Sequence, residues 1–305
     1  MAKWPQELLD RMDVATHIHT KADLPEHECQ GKLSLEDTSD KAIAAGLDGI
    51  ALSEHTTNPG VGLPHKFGDD SELAIAIRDR NKLVRDFNPS GLVVFSGAEA
   101  NIIGGEVDIP EATARDCDWI IASMHGSVPD TAAGIERALK GACEIDYVTA
   151  IGHPTRYAES IHDVPWASIL KTAANPESPT LVELNYNAFH TYGPLKQLRE
   201  YNDKGGKKES LDGYYWNLGF WYRWLGLVAD SGAAVIVSLD VHEGDQWPQA
   251  TQSASWMPTT DQVMEFYGLI EMCGISGNRI VNNELDFFSD WIKCPKEKRG
   301  QLITW

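Results

Sequence analysis

The chain has 305 residues, enough for one α/β barrel or two smaller domains, and no low-complexity linker divides it, which favours a single domain over 1–305. Forty-five acidic against 26 basic residues leave a net charge of −19, which argues against broad nucleic-acid or anionic-membrane binding but leaves room for a small phosphorylated substrate beside metal cations. Five widely spaced cysteines without zinc-knuckle spacing, an N-terminus without an apolar signal core, and no apolar run near the ~20 residues of a membrane span point to a cytoplasmic protein with reduced thiols and no membrane association.

The first predicted strand, 13–19, ends in His17-Ile18-His19, and a polar loop follows that carries Asp23, Glu26, His27 and Glu28. Ser34 is placed to cap a helix, with Asp37 three residues on, and Gly46 to stop it. A second strand, 48–53, runs into Glu54-His55 and then a Gly/Pro-rich loop, 56–70, with His65 and Lys66. A helix is expected over 71–86, a third strand over 91–96 leading to Glu99, and a short extended piece over 104–110. The fourth strand, 118–123, leads to His125, a helix follows near 131–142, and the fifth strand, 146–151, leads to His153.

The sixth strand is 180–185, Thr-Leu-Val-Glu-Leu-Asn. After it comes a long stretch, 186–232, with a basic turn at 204–208 and an aromatic helix candidate from Tyr214 to Trp224, expected to pack on the outside of the fold. The seventh strand, 233–240, is a β-branched run that ends in Asp240-Val241-His242. Loop 243–260, with Trp247 and Trp256, is expected to border the site, and helices at 261–273 and 284–292 to close the barrel.

Side chains two apart on an extended strand point the same way. His17 with His19, and Asp240 with His242, therefore project in pairs from strand ends. His55, Glu99, His125 and His153 end four more apolar runs. Strands alternating with helices imply parallel pairing and right-handed crossovers. A barrel brings every strand end to one face, whereas an open sheet does not. The pattern thus predicts a seven-stranded, distorted relative of the TIM barrel with a metal site at the C-terminal ends of its strands. Imidazoles mixed with carboxylates suit Mn²⁺, Zn²⁺ or Fe²⁺.

These segments, with Gly97-Ala98-Glu99, Ile151-Gly152-His153-Pro154, Val182-Glu183-Leu184-Asn185 and the ending from Gly274 to Asn282, resemble in order the motifs of the PHP (polymerase and histidinol phosphatase) superfamily, over about 13–283. The resemblance implies a distorted (β/α)7 barrel holding two or three divalent ions. His17, His19, Glu99 and Asp240 would hold one; Glu99 would bridge to a second held by His125 and His153; His55 and His242 would hold a third with a ligand from the loop after His19. Two positions depart from the family pattern. Glu54 stands where an Asp is usual, and Gln30 where many relatives have an Asp, so His27 is the substitute ligand, with Glu28 and Asp23 as competitors.

The expected activity is hydrolysis of a small phosphorylated metabolite or nucleotide. A water bridging two ions loses proton affinity and attacks phosphorus as hydroxide. Arg156 is the expected bidentate phosphate contact, with Lys66 as a second. Asp240 or His242 would relay a proton to the leaving group. The same centre also suits an amidohydrolase reaction on an amide, ester or lactone, and a non-catalytic metal-binding protein is a third possibility.

Overall fold

The computed structural model describes residues 5–21, 31–57, 65–125, 128–156, 163–189, 208–242, 259–275 and 279–303, and for 208–217 the backbone only. After a single helical turn, α1 (Gln6–Leu9), come β1 (Val14–Ile18), α2 (Leu35–Ala45), β2 (Gly49–Leu52) and β3 (Glu54–His55). Next are α3 (Glu72–Asp86), β4 (Val93–Phe95), β5 (Gly97–Ile103), β6 (Glu106–Val107), α4 (Glu111–Arg115) and β7 (Trp119–Ser123). The second half contains α5 (Ala132–Glu144), β8 (Ala150–Gly152), α6 (Trp166–Ala173), β9 (Leu181–Asn185), α7 (Lys208–Ser231), β10 (Val235–Val241), α8 (Thr260–Met272) and α9 (Leu285–Lys293).

The predicted caps do their work. Ser34 Oγ accepts from Asp37 N at 3.0 Å, and Gly46 ends α2 in the left-handed region at φ 91°. Ser71 and Thr131 cap α3 and α5 in the same way, and Thr259 with Gln262 forms a capping box on α8. Helix α6 had no counterpart in the sequence reading. Pro165 opens it, and its buried Trp166, Ile169, Leu170 and Ala173 show helical spacing.

The strands pair in the order β3-β5-β7-β8-β9-β10-β1-β2-β4, all parallel, while β6 lies antiparallel to β5. Only Ser53 separates β2 from β3, and only Ser96 separates β4 from β5. The path from β3 to β4 therefore has ends already joined through the chain. The result is an α/β fold whose parallel sheet, flanked by helices, matches a distorted TIM-like barrel. At the break, Trp119 Nε1 donates to Leu52 O at 2.7 Å, and a Cβ on Gly97 would come within 2.2 Å of that indole, so glycine is required there.

Alternate residues serve opposite faces of the sheet. Ala15, Ile50, Ile120 and Val235 join the larger apolar cluster. Val14, Ala51, Ile121 and Ile236 join a second one, with Phe288 and Trp291 of α9. On that second face the next residues along are Thr16, Ser53, Ser123 and Ser238, all buried. Apolar filling thus gives way to a polar layer toward the strand C-termini. Helix α9 closes this apolar end as expected, but α8 packs Phe266 and Tyr267 into the larger cluster instead. Trp221 and Trp224 of α7 also join the larger cluster, in keeping with an outer helix. The seam between β1 and β10 is stitched by Asn282, whose Nδ2 donates to Val14 O at 2.9 Å and Val237 O at 2.8 Å. Arg279 caps the end of α7 through Val228 O and Ala229 O. Among the described residues, no helix is long and apolar enough to cross a membrane.

Candidate metal centre

Three non-glycine residues have positive φ among the described residues: His17 at 59°, His153 at 22° and Asp240 at 53°. Each such conformation costs on the order of 1–3 kcal/mol and survives only where its surroundings enforce it. Around His17 the register slips against both neighbours, between Thr16 and Ile18 against β10 and between Ala15 and Ile18 against β2. The simple two-apart rule therefore does not describe the His17–His19 pair. A bulge turns the His17 ring instead, and the two rings sit 5.1 Å apart and tilted by 51°.

Glu99, at the middle of β5, is the hub. Its Oε1 lies 3.2 Å from His17 Nε2, 3.3 Å from His125 Nε2 and 2.9 Å from His153 Nε2. Its Oε2 lies 2.9 Å from His55 Nδ1 and 3.6 Å from His19 Nε2. Asp240 Oδ1 adds contacts to His242 Nε2 at 3.1 Å, His19 Nε2 at 3.7 Å and His17 Nε2 at 3.8 Å, while Oδ2 meets Arg156 Nη1 at 3.0 Å. His19 stacks on His242 with centroids 4.0 Å apart. The cluster is buried except at one edge, where the side chains of His242 and Arg156 are 25% and 15% exposed.

The structure thus gathers His17, His19, His55, Glu99, His125, His153, Arg156, Asp240 and His242 into one site. Lys66 is elsewhere: it is exposed and pairs with Glu106, and no contact joins it to the imidazoles among the described residues. His27, Glu28 and Asp23 lie outside the described residues, as do Trp247 and Trp256. Glu54 turns away from its neighbour His55. Both its oxygens accept from Thr20 N at 3.1 Å, and Oε1 accepts from Arg80 Nη2 at 2.6 Å.

Do these residues suit a divalent ion? Donors about 2.0–2.1 Å from a shared ion stand roughly 3.3 Å apart in a tetrahedron. The Glu99 contacts to His17, His125 and His153 lie near that spacing. His17 Nε2, both nitrogens of His19 and Glu99 Oε2 are buried and form no hydrogen bond among the described residues, although buried polar atoms are nearly always paired. Three sets of donor atoms lie mutually within 4.8 Å: His17, His19 and Glu99; His55, Glu99 and His125; His19, His55 and His242. The site therefore fits divalent metal binding. The second and third sets bring His55 to Glu99 and His19 to His242, which cuts across the ligand partition that the motifs imply.

Electrostatics prepares the donors. Burial is the largest influence on His17, His19, His55, Glu99, His153 and Asp240. It lowers His19 well below the ordinary 6.5, with help from His242 and His55, takes His55 to about 4, and lowers His153. These rings keep the lone pairs that a cation needs. Burial works against charge on His17 too, but Glu183, Glu99 and Asp240 outweigh it and hold its pKa well above 6.5. Glu99 and Asp240 stay well below the ordinary carboxylate values despite burial, Glu99 through His17, His125 and His55, Asp240 through His17 and Arg156.

Sequence reasoning left two orienting groups unassigned. Glu183 Oε1 lies 2.6 Å from His17 Nδ1, and the carboxylate also takes Ser238 Oγ and His153 N. Asn101 Oδ1 lies 2.6 Å from His125 Nδ1. Both hold the ring nitrogen remote from Glu99, as partners of metal-binding histidines do. A signal existed for each. A carboxylate inside the apolar run 181–185 is out of place without a partner, and Asn101 shares a strand face with Glu99.

No protein-family model matches the chain. Among curated proteins, a probable phosphatase from Caldicellulosiruptor bescii is 31% identical over 190 residues, 61% of this chain and 70% of that protein. Another, from Caldicellulosiruptor saccharolyticus, is 31% identical over 183 residues, 59% of this chain and 68% of that protein. A solved structure of histidinol phosphate phosphatase from Lactococcus lactis, complexed with zinc, L-histidinol and phosphate, aligns at a TM-score of 0.48 and 16% identity, covering 87% of this chain and 95% of that one.

Proposed function

The chain belongs to the PHP superfamily of metal-dependent phosphoesterases, and from that premise we propose that it hydrolyses the phosphate ester of a small metabolite or nucleotide. The observation that carries this reading is Glu99 ringed by five imidazoles, with an arginine at the one exposed edge. In this reading 1–305 is one cytoplasmic domain, and Ser53 and Ser96 interrupt two of seven strand–helix repeats. His17, His19, His55, Glu99, His125, His153, Asp240 and His242 hold two or three ions of Mn²⁺, Zn²⁺ or Fe²⁺, and His27 completes the third site. Such ions supply a Lewis acid for the phosphoryl oxygens and lower the pKa of water enough for it to attack phosphorus near neutral pH.

The side chains do the rest. Glu99 and Asp240 offset the cation charge. Arg156, held against Asp240 at the partly exposed edge, is the guanidinium that would meet the phosphoryl oxygens. Hydrolysis forms a bond from water oxygen to phosphorus and breaks the ester P–O bond, and the leaving oxygen takes a proton. Asp240 or His242, 3.1 Å apart at the open edge, passes that proton on. Lys66, exposed and paired with Glu106, has no assigned part in this scheme.

The test is phosphate release from a panel of phosphorylated metabolites with added Mn²⁺, run beside amide, ester and lactone substrates. Turnover confined to the second group would replace the phosphoesterase reading with an amidohydrolase one. Arg156→Ala is expected to raise KM for the phosphate ester about 10- to 100-fold, the weight of a charge-assisted hydrogen bond, with metal content unchanged. An unchanged KM and an unchanged inhibition constant for inorganic phosphate would remove Arg156 from substrate binding.

A further inference from the structure

Asn101 leaves β5 two residues beyond Glu99 and reaches His125. Its amide orientation follows from its surroundings. One end lies 2.7 Å from Asp108 Oδ2 and 3.3 Å from Thr57 O, both acceptors, so that end is the NH₂. The other end is then the carbonyl oxygen, 2.6 Å from His125 Nδ1, and a carbonyl has no hydrogen to give. His125 Nδ1 must carry the proton. Its lone pair is on Nε2, the atom 3.3 Å from Glu99 Oε1.

Asp108 is 1% exposed and takes every donor it can: Asn101 N at 2.9 Å, Asn101 Nδ2, Thr56 Oγ1 at 2.7 Å and Thr57 Oγ1 at 2.7 Å. All of these donors are neutral. A buried carboxylate without a cation is costly, and a neutral amide could pin the β5–β6 turn as well. What an amide at position 108 would not do is reinforce Thr57 O in dictating which way Asn101 faces, because an amide offers both a donor and an acceptor, whereas a carboxylate only accepts.

We propose that Asp108 is a positioning residue for the metal centre: its charge locks the Asn101 amide, and Asn101 fixes His125 with Nδ1 protonated and Nε2 directed to the ions. This rests on the metal-centre reading above. The test has two readouts. In metal-free protein, ¹H–¹⁵N NMR of the imidazoles is expected to show His125 protonated on Nδ1. Asp108→Asn is expected to let Asn101 turn over, to move the His125 proton wholly or partly to Nε2, and to weaken binding of one equivalent of Mn²⁺ or Zn²⁺ about 10- to 100-fold. The exchanged pair, Asp108→Asn with Asn101→Asp, restores an acceptor at His125 and is expected to recover both the tautomer and the affinity. Wild-type His125 protonated on Nε2, or an Asp108→Asn protein with unchanged tautomer and unchanged affinity, would overturn the proposal. Should the single variant fail to fold, the exchanged pair decides it, since a binding loss persisting there contradicts the relay. If wild type itself binds no metal, the metal-centre reading fails, while the tautomer measurement still judges the Asp108–Asn101–His125 link.

Discussion

Glu99→Gln is expected to strip metal from the protein and to lower kcat/KM by at least about 10³-fold, on the order of 4 kcal/mol of transition-state stabilisation. Five imidazole nitrogens lie within 3.6 Å of this carboxylate, and it occupies two of the three candidate donor sets. Glutamine keeps the volume but removes the charge and one acceptor oxygen. Its NH₂ would face ring nitrogens whose lone pairs are meant for cations. Elemental analysis beside a phosphate-release assay checks the result, and wild-type metal content with a wild-type rate would take Glu99 out of the centre. Metal-free protein gives a second readout. Burial opposes the charge on Glu99, but His17, His125 and His55 hold its folded pKa well below 4.5. A depressed carboxylate contributes stability above its unfolded pKa and loses it as pH falls toward the folded value. The wild-type melting temperature should therefore drop as pH falls below about 4.5, and Glu99→Gln should lack that part of the slope.

Much of this centre was legible because parallel strands end where their ligands begin. An apolar run broken by a histidine or carboxylate marks both the strand and the site, and six such endings argue for convergence. What escaped depends on neighbours distant in sequence. Nothing in Ser53 or Ser96 announces that a strand changes partner there, since the contacts at the break come from distant sequence: the Trp119 indole on Leu52 O and the Asp118 carboxylate on Ser96. No local signal tells a histidine at position 17 to adopt φ 59°, a conformation imposed by the packing around it. Glu54 is a further case. The sequence marks it only as a departure from the family's Asp, with its partner open; adjacent residues on a strand face opposite ways, and the structure gives Glu54 Thr20 and Arg80 as partners. Substrate specificity, which sequence reasoning assigns to loops 56–70, 186–215 and 243–260, is not legible in them, and most of their length (58–64, 190–207 and 243–258) lies outside the described residues.

Glu183→Gln tests the most consequential residue that the sequence reading passed over. The wild-type carboxylate serves three donors at once: His17 Nδ1 at 2.6 Å, Ser238 Oγ and the backbone N–H of His153. Two of these belong to residues in the positive-φ region, so Glu183 helps to hold the backbone where the fold stores strain. Glutamine offers one acceptor oxygen and an NH₂. Whichever way it faces, a buried donor meets another donor, which costs about 1–3 kcal/mol of stability. His17 also loses the carboxylate that sets its ring and strengthens it as a ligand, so metal affinity is expected to fall about 10- to 100-fold. The contrast with Glu99→Gln makes the test specific. Glu183 contacts a ligand rather than an ion, so saturating Mn²⁺ should restore most of kcat in Glu183→Gln and little of it in Glu99→Gln. Metal titrations monitored by activity and by calorimetry distinguish the two. Equal, unrecoverable losses in both variants would mean that Glu183 itself belongs among the ligands, and an unchanged affinity would mean that the His17 ring is held by its bulge alone.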